Sequence, residues 1–183
     1  MGTVCSSGLL ALASALLFTS CSKDNVIVFP SSPSLPYKVA GTSDATAMAW
    51  QDRFNKSGLQ LVSEGQDYLI RIPTVLVFPD QSPQIAWGSY NLLNDVACYL
   101  KEFRKVAVSV TAYSAGCESS PRERALTLAR ARAVGNYLWS QGIDSRFVFT
   151  HGLGNDKPMV SVAPNNDKSP NSRIEITFRD AVA

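Results

Sequence analysis

VAVSVTAYSAGCESSPRERALTLARARAVGNYL, residues 106–138, decides the fold of this 183-residue chain. It opens on an apolar/polar alternation at Val106, Val108, Val110 and Ala112, the period of a half-buried strand. A loop of Gly, Cys, Ser and Pro follows. Ser120 before Pro121 marks a helix start, because serine accepts from an orphan N–H and proline is pre-set for the first turn. Apolar residues then recur at helical spacing at Leu126, Ala129, Ala133, Val134, Tyr137 and Leu138. Arg130 lies one turn from Leu126 and one from Val134, on the margin of that stripe. A guanidinium held there is partly desolvated, with its planar fork ready for a carboxylate.

Working outward, Ser43-Asp44 opens a helix that carries Ala47, Met48, Trp50 and Phe54 and stops before Gly58. Leu59–Val62, a Ser-Glu-Gly-Gln turn and Tyr68–Ile72 read as a hairpin. Pro73 cannot donate to a ladder, so it implies a bulge or an edge, with Thr74–Phe78 resuming the strand. Pro83–Lys101 supplies a second helix, with Ile85, Tyr90, Leu93, Val96, Ala97 and Leu100 at helical intervals. A strand near Phe147–Thr150 and an edge strand Arg173–Phe178 complete the order. The APNNDKSP loop between them is polar and expected to be mobile. Helix crossovers between strands favour parallel pairing, and both helices should lie on one face of the sheet.

The quoted stretch also carries a family resemblance. Leu126-Thr127-x-x-Arg130-Ala131-x-x-Val134-x-x-Tyr137-Leu138 resembles the L-S-x-x-R-A-x-x-V-x-x-Y-L helix of OmpA-like peptidoglycan-binding domains. Gly142-Ile143, Arg146, Gly152-Leu153-Gly154, Pro158 and Asn171-Ser172-Arg173-Ile174-Glu175 continue the match, so that it spans roughly residues 68 to 179. The resemblance implies an α/β (α+β) two-layer sandwich, a mixed sheet with helices on one face. It also implies a pocket for the diaminopimelate stem residue, in which an aspartate grips the ammonium and an arginine the carboxylate. Arg130 stands at the arginine position. Where the family reads G-[HY]-T-D, this chain reads Ala112-Tyr113-Ser114-Ala115, and the aspartate is an alanine. Tyr113, Ser114, Thr127, Asn171 and Arg173 match rim positions, while Ser172 replaces a family arginine. Glu118 is either solvated loop charge or, if the loop is rearranged, the nearby carboxylate that swings in. The plain structural alternative for Arg130 is a bridge to Glu175 or to loop carbonyls.

The leader sets the address. Residues 8–18, GLLALASALLF, are too short to span a bilayer as a stop-transfer helix. Thr19-Ser20-Cys21 resembles a bacterial lipobox, with lipidation at Cys21, although Phe18 replaces the usual leucine and MGTVCSSG lacks a basic residue. An ordinary cleaved signal is the alternative. Met1-Gly2 with Ser6 also fits a myristoylation pattern, but the apolar run favours export. Ser22 after the cysteine favours the outer membrane by resemblance to bacterial lipoproteins. The expected organisation is thus a signal over 1–20, a lipidated and Pro-rich tether over 21–43, and one domain over 44–183. Within the tether, Asn25–Phe29 (NVIVF) is a β-prone run suited to another protein's sheet edge or merely to stickiness. Val26–Phe29 and Trp50 are candidates for docking or for covering the domain's own core.

Other classes receive little support. A net charge of +2 argues against nucleic acid as a partner. His151, the only histidine, has no acid partner or metal set in the sequence, and Gly152-Leu153-Gly154 lacks the third glycine of a nucleotide fingerprint. No enzyme activity, cofactor or metal is therefore expected. Cys98 and Cys117 flank a strand that runs roughly 20 Å, too far for a disulfide. Both are expected to be free, Cys98 buried and Cys117 exposed or contacting a partner. The layout of short leader, tether and departing motif resembles the small lipoproteins of the type IVB (Dot/Icm) secretion apparatus of intracellular pathogens. That resemblance implies other secretion-system outer-membrane subunits and lipoproteins as partners, a lipid anchor in the membrane, and peptidoglycan as an accessory or alternative partner.

Overall fold

Alternation in the strands builds one dry face and one wet face. The computed structural model describes residues 44–116, 120–161 and 166–181. Its elements are α1 (Asp44–Lys56), β1 (Gln60–Glu64), β2 (Asp67–Pro73), α2 (Tyr90–Lys101), β3 (Lys105–Tyr113), α3 (Ser120–Ser140), β4 (Val148–Gly152) and β5 (Arg173–Asp180). Ile70 and Ile72 of β2, Val108, Val110 and Ala112 of β3, and Ile174, Ile176 and Phe178 of β5 are all buried. They meet Leu93, Val96 and Leu100 of α2 and Ala131, Val134 and Leu138 of α3. Each such aliphatic burial contributes roughly 1.5–3 kcal/mol. Residues one step along, such as Ser109, Glu175 and Thr177, turn to the other face, which none of the described helices covers to the same degree.

The strand order is β1-β2-β5-β3-β4. The expected two-layer sandwich with helices on one face is therefore the architecture, but two details of the sheet differ from expectation. Among the described residues only β3 and β4 pair in parallel; β1/β2, β2/β5 and β5/β3 are antiparallel. Both crossovers still join strands that point the same way, because β5 has inserted between β2 and β3. It follows that β5 is the centre of the sheet, not an edge. Its alternating charges looked like an edge strand's, but they fall on the wet face and find cross-strand partners there. Arg71 of β2 lies 3.6 Å from Glu175, and Arg179 lies 3.0 Å from Asp67.

Pro73 lies beyond the last β1 pair, Gln60–Arg71, so at that point β2 has only β5 beside it and the proline takes the edge position expected of it. The chain does not resume as a strand. Residues 74–76 form a 3-10 turn, with the Val77 and Phe78 amides donating to the Thr74 carbonyl at 3.0 and 2.9 Å. The helix expected from Pro83 begins only at Tyr90, after a 3-10 turn at Trp87–Ser89. The Ala86 amide is spent on the Val77 carbonyl at 2.9 Å, which holds residues 79–86 as a loop across the end of the sheet.

Close approach of α3 to β4 explains two glycines. A Cβ on Gly152 would lie 2.1 Å from the Leu128 amide nitrogen, and one on Gly135 would lie 2.7 Å from Thr150 Cγ2. Gly152 is thus needed where helix backbone meets strand backbone. At the opposite end, Trp50, Phe54, Tyr99, Phe103, Phe178 and Tyr68 form a chain of ring contacts, with Tyr68 and Phe178 stacked at 5.0 Å. Trp50 packs against the core, and so serves the domain's own interior. Cys98 is free but exposed, not buried. Its neighbours Ala97 and Tyr99 take the inward positions of α2, and the helical period turns position 98 to solvent. Cys117, Glu118, Cys21, Val26–Phe29 and the tether lie outside the described residues.

Candidate functional site

Arg130 is pulled wholly inside. Its guanidinium makes a paired contact with Asp167, Nη1 to Oδ1 at 2.9 Å and Nη2 to Oδ2 at 2.6 Å, while Nε donates to the Ser82 carbonyl at 2.9 Å. The side chains of Arg130 and Asp167 are 1% and 7% exposed. A bidentate, desolvated pair of this kind is stabilising only when the remaining donors and lone pairs are also satisfied. Here they are. Asp167 Oδ2 also accepts from the Gln81 amide at 2.8 Å, and the Phe78 ring lies 5.4 Å from the guanidinium carbon. Burial alone would push the Asp167 carboxyl up. The hydrogen bonds from Arg130 and the Gln81 amide, with the charge of Arg130, outweigh it and hold the group below the usual carboxylate range.

The partner is therefore neither Glu175 nor loop carbonyls alone. Asp167 comes from the polar loop that looked mobile, and the described part of that loop is anchored. Ser169 is buried, its amide donates to the Asn166 carbonyl at 3.0 Å, and Ser172 Oγ donates to the same oxygen at 3.0 Å. A cavity of about 400 Å³ remains beside the pair, lined by Val75, Phe78, Asp80, Asn166, Asp167 and Lys168.

The other rim residues divide into two further groups. Ser114 and Thr127 tie the first turn of α3 to the loop after β4. Ser114 Oγ donates to Glu123 Oε2 at 3.2 Å, Thr127 Oγ1 donates to the Glu123 carbonyl at 2.8 Å, and the Gly154 amide donates to Thr127 Oγ1 at 3.1 Å. Tyr113 and Arg173 are cross-strand partners, one step from the buried Ala112–Ile174 pair. Strand alternation therefore turns them to the face opposite the helices. The Arg173 guanidinium sits 3.9 Å from the centre of the Tyr113 ring, with Nε donating to Glu175 at 2.7 Å and its other nitrogens to the Asn171 and Lys157 carbonyls. Burial, and then the Glu175 charge, push the Tyr113 hydroxyl up. Asn171 spends its side chain on the backbone of Met159 and Val160.

Thus all six rim residues are buried and engaged within the chain, in three separate bonding groups. Sequence reasoning missed Asp167 and Glu123. Asp167 carried no local signal, since a charged residue between Asn and Lys reads as solvated loop. Glu123 had a weak one: it lies seven residues, two helical turns, before Arg130 and so shares its face.

The model of the OmpA family matches residues 77–172. The chain belongs to the OmpA family. Among relatives, it is 30% identical over 128 residues to the probable lipoprotein YiaD of Escherichia coli (strain K12), covering 70% of this chain and 58% of that protein. It is 29% identical over 101 residues to the peptidoglycan-binding protein ArfA of Mycobacterium tuberculosis (strain ATCC 25618 / H37Rv), covering 55% of this chain and 31% of that one. The chain thus spans less than two thirds of either relative's length. The same fold occurs in the cell wall anchor of the T6SS from Pseudomonas aeruginosa, with a TM-score of 0.65, 20% identity and coverage of 73% of this chain and 96% of that one. A putative MotB-like protein from Desulfovibrio vulgaris gives a TM-score of 0.63 at 17% identity, covering 75% and 93%. The arginine of the pair is present, and a carboxylate of the chain itself sits on it.

Proposed function

We propose that this chain is a lipid-anchored structural subunit of the cell envelope, its OmpA-like pocket closed by its own side chains. The observation that carries the reading is the Arg130–Asp167 pair. A ligand carboxylate would have to displace a bidentate partner already desolvated and bonded at 2.6 and 2.9 Å, and Ala115 offers no anion for an ammonium in return. Recognition of a zwitterion needs both charges. Here the expected anion position holds an alanine, and the arginine is in use.

The leader with Cys21 and the proline-bearing tether support an anchor in the outer membrane, with the domain facing the periplasm. The same layout supports a place in a type IVB secretion core complex beside other outer-membrane subunits and lipoproteins. A second reading, a peptidoglycan tether working through Arg130, is favoured by ArfA, a relative whose name states that binding, and by the intact arginine itself.

Sedimentation of the purified chain with peptidoglycan separates the two. The structural reading expects wild type and Arg130→Ala to stay equally in the supernatant. Co-sedimentation of wild type that Arg130→Ala abolishes establishes the tether instead. Cross-linking in the native envelope then tests the assembly: links to secretion subunits support it, and links confined to cell-wall material overturn it.

A further inference from the structure

The two edges of the sheet are guarded very differently. An edge strand exposes a row of unpaired N–H and C=O groups, and soluble proteins usually blunt it with charge, proline or a bulge. β1 ends in Glu64 and exposes polar Gln60, Ser63 and Glu64 beside a half-exposed Val62. β4, VFTHG, carries no formal charge, no proline and no bulge against β3. Among the described residues nothing pairs with its outer side.

Beside that edge, α3 contributes a groove of about 340 Å³ lined by Arg132, Gly135, Asn136, Trp139, Val148 and Thr150. Gly135 forms its floor, since a side chain there would collide with Thr150. Trp139 of α3 leaves 59% of its surface in solvent, and Phe149, on the face of β4 turned away from Val148 and Thr150, leaves 51%. An incoming strand would therefore find an apolar contact on each side of the β4 backbone. The charge at the groove is of one sign. Arg132 is the one charged residue in that lining; it is exposed and makes no hydrogen bond or ion pair among the described residues.

We propose that β4 and the α3 groove form a strand-docking site for an extended segment of a partner protein, with apolar residues toward Trp139 and Val148 and an acidic residue toward Arg132. Main-chain bonds to the free edge supply the affinity, and the Arg132 charge selects the partner. This surface is separate from Arg130, so it stands whether or not the domain touches peptidoglycan.

The test uses the full chain and two labelled eight-residue peptides, one alternating valine with glutamate and one alternating valine with lysine. Fluorescence anisotropy should show the glutamate peptide binding roughly three- to five-fold more tightly, the range of a partly exposed ion pair. Arg132→Glu should reverse that order, and Trp139→Ser should weaken both peptides alike. Both residues are exposed, so neither variant threatens the fold. Hydrogen exchange should slow at β4 amides when the glutamate peptide is added. Equal binding of the two peptides, an unchanged order in Arg132→Glu, or unprotected β4 amides overturns the proposal. So does sedimentation showing that the chain pairs with its own copy through β4 before any peptide is present.

Discussion

Two buried arginines stand at the same end of this domain and are held by opposite logic. Arg173 is fixed by its own strand: its carboxylate partner, Glu175, is two residues on, and its ring partner, Tyr113, is the cross-strand neighbour. Arg130 is fixed from 37 residues away, by a loop aspartate with no secondary structure of its own. The first arrangement cannot be undone without opening the centre of the sheet. The second can be undone by moving one loop. The contrast indicates where ligand chemistry is retained in such a fold, at the arginine whose partner can be exchanged.

Removing Arg130 should give the largest effect. Arg130→Ala leaves Asp167 charged and buried without its partner, and breaking a buried pair in this way costs about 3–5 kcal/mol. Urea denaturation checks it, and a loss below about 1 kcal/mol would mean that the pair is not closed in solution. Arg173→Ala should cost less, about 1–3 kcal/mol, because Glu175 keeps Arg71 within 3.6 Å. If the two losses are equal, the proposed difference between the sites is wrong.

Titration sharpens the same comparison. The folded Asp167 carboxyl titrates below its unfolded value of about 3.9. Its stabilisation is therefore fully present above that unfolded value and is lost as pH falls through the folded one. Wild type should lose stability below about pH 4 more steeply than Asp167→Asn, which has no such group to protonate. Parallel acid limbs in stability-versus-pH curves would refute the assignment. Asp167→Ala should also expose the Arg130 fork, and any gain of peptidoglycan co-sedimentation in that variant would identify Asp167 as the stopper.

The architecture was legible because periodicity and motif spacing report on layers: Val106 to Leu138 gave strand, loop and helix with nearly correct limits. The central place of β5 was not, since an alternating strand reads the same at a wet-faced centre as at an edge. The turn after Pro73 was hidden because Thr74–Phe78 has strand composition, and tertiary bonds to Ser172 and Val77 overrode it. Of the site, Arg130 was legible by motif. Its partner was not, because nothing local distinguishes a loop aspartate that folds back 37 residues from one that faces water.

The smallest predicted difference lies in the rings beneath the two guanidinium groups. Arg173 is 3.9 Å from the Tyr113 ring centre, whereas Arg130 is 5.4 Å from that of Phe78. Cation–π attraction falls with distance, and is worth about 0.5–2 kcal/mol between exposed and desolvated limits. Arg130 also has a full negative charge in its plane, which already satisfies the ion's main demand. Arg173 has one carboxylate contact at Nε and only carbonyls at its other nitrogens, so the ring carries a larger share. Double-mutant cycles with Tyr113→Leu/Arg173→Met and Phe78→Leu/Arg130→Met should therefore give the larger coupling to the Tyr113 pair, by roughly 0.5 kcal/mol or more. Equal couplings would mean that the ring at Tyr113 merely fills space, leaving charge alone to separate the two sites.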